Sequence, residues 1–112
     1  MICAGNLEIG NSVIISGDVY ISDVLHNYKD GSIMKQDLVV ERTRIGDNCF
    51  IGYGAVILPG VILGKWCIVG ADSVVLKGDY PDYCILAGTP AKIFKKLDGN
   101  SRMREKVEKA SR

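Results

Sequence analysis

The chain has 112 residues, with 14 Lys and Arg against 13 Asp and Glu and a net charge of +1. This length allows one domain, and the balanced charge argues against a nucleic-acid-binding surface, which is normally basic. Because no apolar run is long enough to span a membrane and the start MICAGNLEIG lacks the features of a signal peptide, we expect a cytoplasmic protein without membrane insertion.

The first predicted element is one coil of a six-residue repeat in residues 7–24. Aliphatic residues occupy every sixth position, and aliphatic residues also stand two positions before each of them. These pairs are Leu7 and Ile9, Val13 and Ile15, and Val19 and Ile21.

Residues 24–40, VLHNYKDGSIMKQDLVV, abandon this repeat. The segment is polar and contains His26, the chain's only histidine. Loops that leave a rigid scaffold often carry function. We expect a loop that projects from a corner of the repeat.

The repeat returns in residues 43–78. Its sixth positions are all aliphatic: Ile45, Ile51, Ile57, Leu63, Val69 and Val75. The residues two positions earlier are small or β-branched: Thr43, Cys49, Ala55, Val61, Cys67 and Ser73. Glycine follows four of the aliphatics, at Gly46, Gly52, Gly64 and Gly70, where we expect it to permit unusual turn dihedrals.

This pattern fits neither an ordinary strand nor a helix, because its alternation is short and its glycines would weaken a helix. It fits a triangular coil in which three six-residue units complete a circuit. The sixth-position aliphatics then point inward, and residues about 18 apart stack at about 4.8 Å. The predicted fold is therefore all-β.

The four cysteines are Cys3, Cys49, Cys67 and Cys84. They include no C-x-x-C pair, and the chain has only one histidine that could serve with them as a metal ligand. A zinc site is therefore not expected. We interpret the cysteines as small buried residues, with Cys49 stacked on Cys67 in adjacent coils.

After the repeat, residues 84–97 are predicted to leave the coil. Residues 98–112 are predicted to form a short helix or a flexible tail. The expected organisation is thus one β-helical domain over residues 1–97, with the projecting loop at 24–40, followed by the tail.

The repeat together with the stretch DYPDYCILAGTPAKIFKKL resembles the hexapeptide-repeat acyltransferase superfamily, whose fold is a left-handed parallel β-helix. The stretch GDVYISDVLHNYKDGS resembles the sugar O-acetyltransferase and maltose/galactoside acetyltransferase branches. This resemblance implies an acetyl-CoA-dependent O-acetyltransferase that modifies a hydroxyl of a small saccharide or a surface-polysaccharide precursor. It also implies a homotrimer with sites between subunits.

The resemblance places His26 at the position of the catalytic base. Many relatives have two histidines in a DHxH motif, whereas DVLH in this chain has Val24 at the first of them. A histidine, with an ordinary pKa near 6.5, suits removal of a hydroxyl proton at neutral pH. Direct transfer needs no enzyme nucleophile. Asp23, Asn27 and Tyr28 are the candidate acceptor-binding residues, and Asp23 is also a candidate for orienting the imidazole.

The acetyl-CoA contacts carried over by position lie in the later coils and the segment that follows them. They are Gly52, Tyr53, Ala71, Leu76, Lys77, Gly88, Pro90, Lys92 and Lys95. The lysines suit the nucleotide phosphates as point charges. Phe50 is interpreted either as a wall of this site or as a packing residue at a corner.

Several alternatives stay open at this point. The same architecture serves amino-sugar N-acetyltransferases and xenobiotic acetyltransferases. The chain starts close to its first coil, whereas relatives carry additional N-terminal sequence, so a truncated non-catalytic β-helix protein is a further alternative. A γ-type carbonic anhydrase is disfavoured because its zinc site uses three histidines. No metal is expected.

Overall fold

The computed structural model describes residues 5–26 and 38–96, and the regular structure within them is β-strand. The strands are β1 (Leu7–Ile9), β2 (Ile14–Ile15), β3 (Tyr20–Ile21), β4 (Val24–His26), β5 (Leu38–Val40), β6 (Thr43–Ile45), β7 (Phe50–Ile51), β8 (Val56–Ile57), β9 (Val61–Leu63), β10 (Ile68–Val69), β11 (Val74–Val75), β12 (Gly78–Tyr80), β13 (Cys84–Gly88) and β14 (Ala91–Lys96).

Three parallel sheets form the sides of a prism. The first side has the order β1-β6-β9-β12, the second contains β2, β7, β10 and β13, and the third has the order β3, β8, β11. Consecutive strands along the chain belong to successive sides, so each circuit contributes one strand to each side. The predicted triangular coil is confirmed, with three full circuits and two sides of a fourth.

The sixth-position aliphatics form the core. From Ile21 onward, each predicted inward residue is 0–1% exposed, as are the small residues two positions before those of residues 45–75. Ile9 and Ile15 differ, at 38% and 37% exposed. They lie in the first coil, whose strands β1 and β2 end their sheets. The narrow interior explains why a small or β-branched residue stands two positions before each aliphatic one in residues 43–75.

The prediction that the chain leaves the coil at residue 84 is wrong for β13. This strand pairs in parallel with β10 through Ile68↔Ile85 and Val69↔Leu86. The turn at Leu76 and Lys77 has one residue fewer than the corresponding turn at 58–60 in the preceding coil. Because of this, Gly78 pairs with Val61 and the register shifts by one residue. The repeat therefore continues one position out of phase. Only β14 departs, by pairing antiparallel with β13.

The repeated glycines provide space rather than unusual dihedrals, which corrects our expectation. Among residues 5–26 and 38–96 the positive-φ glycines are Gly5, Gly54, Gly60 and Gly88, and none of these directly follows a sixth-position aliphatic of residues 43–78. A Cβ added to Gly46 would lie 2.7 Å from the backbone of Gly64 in the next coil. Adjacent coils thus approach too closely at this corner for a side chain.

The cysteines behave as the sequence predicted within the described chain. Cys49, Cys67 and Cys84 are free and buried, and the register of β7, β10 and β13 stacks them in successive coils. A hydrogen bond with the Cys67 side chain, together with burial, raises the pKa of the Cys49 thiol. Cys3 lies outside the described residues.

The segment predicted to project has strands at both ends. β4 pairs antiparallel with β5, from Val24↔Val40 to His26↔Leu38. We call β4 and β5 the ribbon. The second coil stacks directly on the first across this insertion, with Leu7 opposite Thr43 and Tyr20 opposite Val56. Residues 27–37 between the strands, and the predicted helix or tail at 98–112, lie outside the described residues.

Candidate functional site

The ribbon leaves the prism at the edge where the third side meets the first. We call this edge the ribbon corner. In the first coil it comprises Ser22–Asp23 and 41–42, in the second coil 58–60, and in the third coil Leu76–Lys77. His26 ends β4, and its backbone pairs with Leu38. The ribbon that carries the predicted base therefore leaves the prism at the edge that also contains two of the predicted cofactor residues, Leu76 and Lys77.

Asp23 is buried at the start of the ribbon, with 0% exposure. Its carboxylate Oδ2 accepts a hydrogen bond from the backbone N–H of Asn6 at 2.7 Å. Its backbone carbonyl accepts one from the N–H of Glu41 at 2.7 Å. Asp23 thus joins the N-terminal segment to the residues that flank the two ribbon strands, Ser22–Asp23 and 41–42, which we call the ribbon base. Its predicted partners in acceptor binding, Asn27 and Tyr28, lie outside the described residues.

Thr43 connects the ribbon base to the second coil from inside the core. The hydroxyl of this fully buried residue accepts the N–H of Gly60 at 2.9 Å. It is also within donating distance of the Glu41 carbonyl at 3.1 Å and the Ser22 carbonyl at 3.3 Å. Burying these groups is tolerated because they are hydrogen-bonded to one another. Thr43 was predicted only as a small or β-branched inward residue, although a hydroxyl at such a position was a detectable signal for this role.

At the same corner, the side chain of Lys77 in the third coil extends across the second coil to the first. Its Nζ lies 3.1 Å from Glu41 Oε2, and its stem covers Gly60, where an added Cβ would lie 2.7 Å from Lys77 Cγ. Neighbouring Leu76 is 44% exposed, and its carbonyl accepts a hydrogen bond from the Tyr80 hydroxyl at 2.8 Å. Glu41, which the sequence analysis did not single out, is therefore part of the site.

The other predicted cofactor residues of the coils lie on a second edge, where the second and third sides meet. We call it the glycine corner, and it contains Gly52, Tyr53, Ala71, Gly88 and Pro90. A Cβ on Gly52 would lie 2.7 Å from the backbone nitrogen of Ala71. The N–H of Gly88 donates to Ser73 Oγ at 3.2 Å. The third side separates this corner from the ribbon corner.

Tyr53 lies on the surface of the glycine corner and is 57% exposed. Its hydroxyl donates to Asp18 Oδ2 at 2.6 Å, and its ring covers Gly17, where an added Cβ would be 3.1 Å from Cε2. The hydrogen bond to the Asp18 carboxylate raises the pKa of the Tyr53 phenol, because ionising the phenol would place two negative charges together.

Lys92 and Lys95 lie on β14, opposite Ala87 and Ile85 of β13, and both are exposed. Phe50 packs with Trp66, Ile68 and Tyr83 and is 7% exposed. This contact agrees with the packing interpretation of Phe50.

Across residues 5–26 and 38–96, no group of three or more His, Cys, Asp and Glu side chains is arranged to hold a metal ion. That no metal is needed remains a prediction. The described part of the chain also contains no helix with the length and apolar character needed to cross a membrane.

Comparison with known proteins supports the class suggested by the fold. Residues 42–77 match the family model described as bacterial transferase hexapeptide (six repeats). The chain is 33% identical over 111 residues to the putative lipopolysaccharide biosynthesis O-acetyl transferase WbbJ of Escherichia coli (strain K12), covering 91% of this chain and 56% of that protein.

A second relative is an N-acetyltransferase. The chain is 40% identical over 77 residues to 2,3,4,5-tetrahydropyridine-2,6-dicarboxylate N-acetyltransferase of Brevibacillus brevis (strain 47 / JCM 6285 / NBRC 100599), covering 69% of this chain and 30% of that protein. Among solved structures, a galactoside acetyltransferase in complex with coenzyme A has a TM-score of 0.67 and 25% identity, covering 92% of this chain and 62% of that one.

These findings confirm the resemblance to the hexapeptide-repeat acyltransferase superfamily and the left-handed parallel β-helix that it implied. The relatives include O-acetyltransferases, the class implied by the resemblance of the stretch GDVYISDVLHNYKDGS. The chain spans about half the length of WbbJ and about a third of the N-acetyltransferase.

Proposed function

We propose that the protein is an acetyl-CoA-dependent O-acetyltransferase that acetylates a sugar hydroxyl, with His26 as general base. The observation that carries this proposal is the ribbon corner. Strand β4, which ends at His26, starts at this corner, where hydrogen bonds of the buried residues Asp23 and Thr43 hold the backbone in place. Such rigidity matters because a catalytic base must be held within hydrogen-bond reach of the proton that it removes.

In the proposed reaction, His26 removes the hydroxyl proton while the acceptor oxygen attacks the thioester carbonyl. A C–O bond forms, and the C–S bond breaks as the tetrahedral intermediate collapses. The proton then passes from His26 to the departing thiolate, so the enzyme ends as it began. Asp23 supports this role through its place at the start of β4, where its buried carboxylate holds the Asn6 backbone. Asn27 and Tyr28 are proposed to contact the acceptor.

Acetyl-CoA is proposed to lie along the third side, between the ribbon corner and the glycine corner. Gly52, Ala71, Gly88 and Pro90 would line one edge and Leu76 the other, with Tyr53 at the periphery. The absence of side chains on glycines allows close approach of an amide-containing arm. Exposed Lys92 and Lys95 would attract the nucleotide phosphates.

A homotrimer is proposed on the same surface. The outward residues of the third side include Tyr20, which is 38% exposed, with Val56 and Val74 half-buried. An apolar face of this kind favours association. A site between subunits would then place the third side of one copy against its neighbour, with acetyl-CoA in the groove.

An N-acetyltransferase is the second candidate, favoured by the 40% identity to the N-acetyltransferase of B. brevis. The same base would serve, because an attacking amine must also lose a proton. A xenobiotic acceptor would use the same chemistry.

The test compares wild type with His26→Ala in an assay of thiol release from acetyl-CoA, using a panel of sugars, amino sugars and small xenobiotic alcohols. We expect a loss of about 10²–10⁴-fold in kcat, with the KM for acetyl-CoA changed less than two-fold. Asp79→Asn, on the exposed face of the first side, is the control and should retain full activity.

Unchanged turnover in His26→Ala would remove His26 from the mechanism. If wild type fails to bind coenzyme A at millimolar concentration, the non-catalytic alternative holds. Mass spectrometry of the product separates an ester from an amide, and thus O- from N-acetylation.

A further inference from the structure

The contact between Lys77 and Glu41 links the third coil to the ribbon base. The Lys77 Nζ to Glu41 Oε2 distance is 3.1 Å, and the side chains of Lys77 and Glu41 are 64% and 27% exposed. The other ion pair of the described chain, Arg44 with Glu8, is longer at 3.7 Å, and its side chains are 46% and 60% exposed. The Lys77–Glu41 pair is therefore closer, and its carboxylate is less exposed than either side chain of the other pair.

Glu41 is well placed to transmit this contact to the ribbon. It directly follows β5, and its N–H donates to the Asp23 carbonyl at 2.7 Å, immediately before β4. Its own carbonyl is within reach of the Thr43 hydroxyl at 3.1 Å. Glu41 thus contacts the residue before one ribbon strand and directly follows the other. Restraining the side chain of Glu41 therefore restrains the backbone next to both strands.

Gly60 gives Lys77 its path across the intervening coil. Lys77 and Glu41 belong to the third and first coils, and the Lys77 stem passes over Gly60 of the second. Any side chain at position 60 would collide with that stem, since an added Cβ would lie 2.7 and 2.9 Å from Lys77 Cγ and Cδ. The ammonium group is thereby directed to the ribbon base.

We propose that Lys77 is a positioning residue: through its ion pair with Glu41, it fixes the base of the ribbon whose strand β4 carries His26. This inference deepens the proposed acetyltransferase function and rests on it. It replaces direct phosphate binding as the role of Lys77, because the ammonium group is already paired with a carboxylate.

The size of the effect follows from the exposure of the pair. Double-mutant cycles on exposed ion pairs give up to about 1 kcal/mol, and a free energy of that size corresponds to a factor of about five. Loss of the pair should therefore shift the ribbon base toward open conformations by about three- to five-fold, without unfolding the prism.

The first experiment measures amide hydrogen exchange in β4, β5 and Glu41 by NMR. Lys77→Met retains the stem over Gly60, and Glu41→Gln retains the shape of its side chain, while each removes one charge. Both should accelerate exchange three- to five-fold at the ribbon base and leave β10 unchanged. The reversed pair, Glu41→Lys with Lys77→Glu, should return exchange to within two-fold of wild type.

The matched control is Arg44→Met, which removes the other cross-coil ion pair. We expect no change in exchange of the ribbon amides. Unaltered ribbon exchange in Lys77→Met and Glu41→Gln would overturn the positioning role, as would failure of the reversed pair to restore protection.

The second experiment uses steady-state kinetics of the acetyl transfer. Both single variants should lower kcat three- to five-fold, with the KM for acetyl-CoA unchanged, and the reversed pair should regain activity. A raised KM in Lys77→Met alone, with Glu41→Gln normal, would instead identify Lys77 as a phosphate ligand and refute the inference. If wild type transfers no acetyl group, the proposed function fails, whereas the exchange measurement still decides whether the ion pair fixes the ribbon.

Discussion

Replacing Thr43 with valine tests the buried hydrogen bonds beneath the ribbon corner. Valine has nearly the same volume as threonine, so the change leaves no cavity and removes the hydroxyl. The N–H of Gly60, which now donates to that hydroxyl at 2.9 Å in a buried environment, loses its partner. A buried donor without a partner costs about 1–3 kcal/mol.

We therefore expect Thr43→Val to lower the free energy of unfolding by about 2 kcal/mol. At about 4 °C per kcal/mol for a chain of this size, Tm should fall by about 8 °C. Thr43→Ser is the control because it keeps the hydroxyl and loses only a methyl group, a change worth about 1 kcal/mol in a core. Urea unfolding followed by circular dichroism at one fixed protein concentration measures both variants.

The order of the two variants decides the question. If hydrogen bonding at Gly60 dominates, the serine variant is the more stable. If packing dominates, the valine variant is the more stable. A valine variant at least as stable as the serine variant would refute the account of this corner.

Two further predictions concern the glycine corner. Gly52→Ala should lower the free energy of unfolding by about 1–3 kcal/mol, because the new Cβ would lie 2.7 Å from the Ala71 nitrogen. Gly70→Ala, whose new Cβ would have its nearest atom at 3.4 Å, is the control and should be nearly neutral. Equal urea-unfolding midpoints for the two variants would contradict this prediction. The raised pKa of Tyr53 means that its contribution to folding is present at neutral pH and is lost as pH rises through that folded-state pKa. In Asp18→Asn the pKa should return toward its usual value in an ultraviolet titration, and an unchanged Tyr53 titration would exclude the carboxylate as the cause.

The fold was predictable because each hexad carries its own signal. The narrow interior of the second and third coils requires a buried aliphatic residue such as Ile57 and a small or β-branched residue such as Ala55 in each hexad, so the pattern repeats and can be counted. The fourth coil was missed because one residue fewer at Leu76 and Lys77 shifts the phase of the count. Ile85 still pairs in parallel with Ile68 despite this shift, because the missing residue is taken from the turn and not from a strand.

The candidate site was predictable only in part. The resemblance placed His26, Leu76 and Lys77 in the site, and in the structure Leu76 and Lys77 lie at the corner from which the ribbon with His26 leaves. Glu41 carried no recognisable signal, because a glutamate after a strand is ordinary surface sequence. Its contact with Lys77 depends on two coils stacking in register with a glycine between them.

The amino-acid sequence by itself determined the six-residue winding, the inward residues of the second and third coils and the point at which the chain departs to form the ribbon. These properties arise from local spacing, since the volume available inside each coil is the same at every circuit. The tertiary structure alone decided which distant groups meet: the Asn6 amide with Asp23, Gly60 with Thr43, and Lys77 with Glu41. Those contacts join different coils, and their geometry exists only when the coils are stacked.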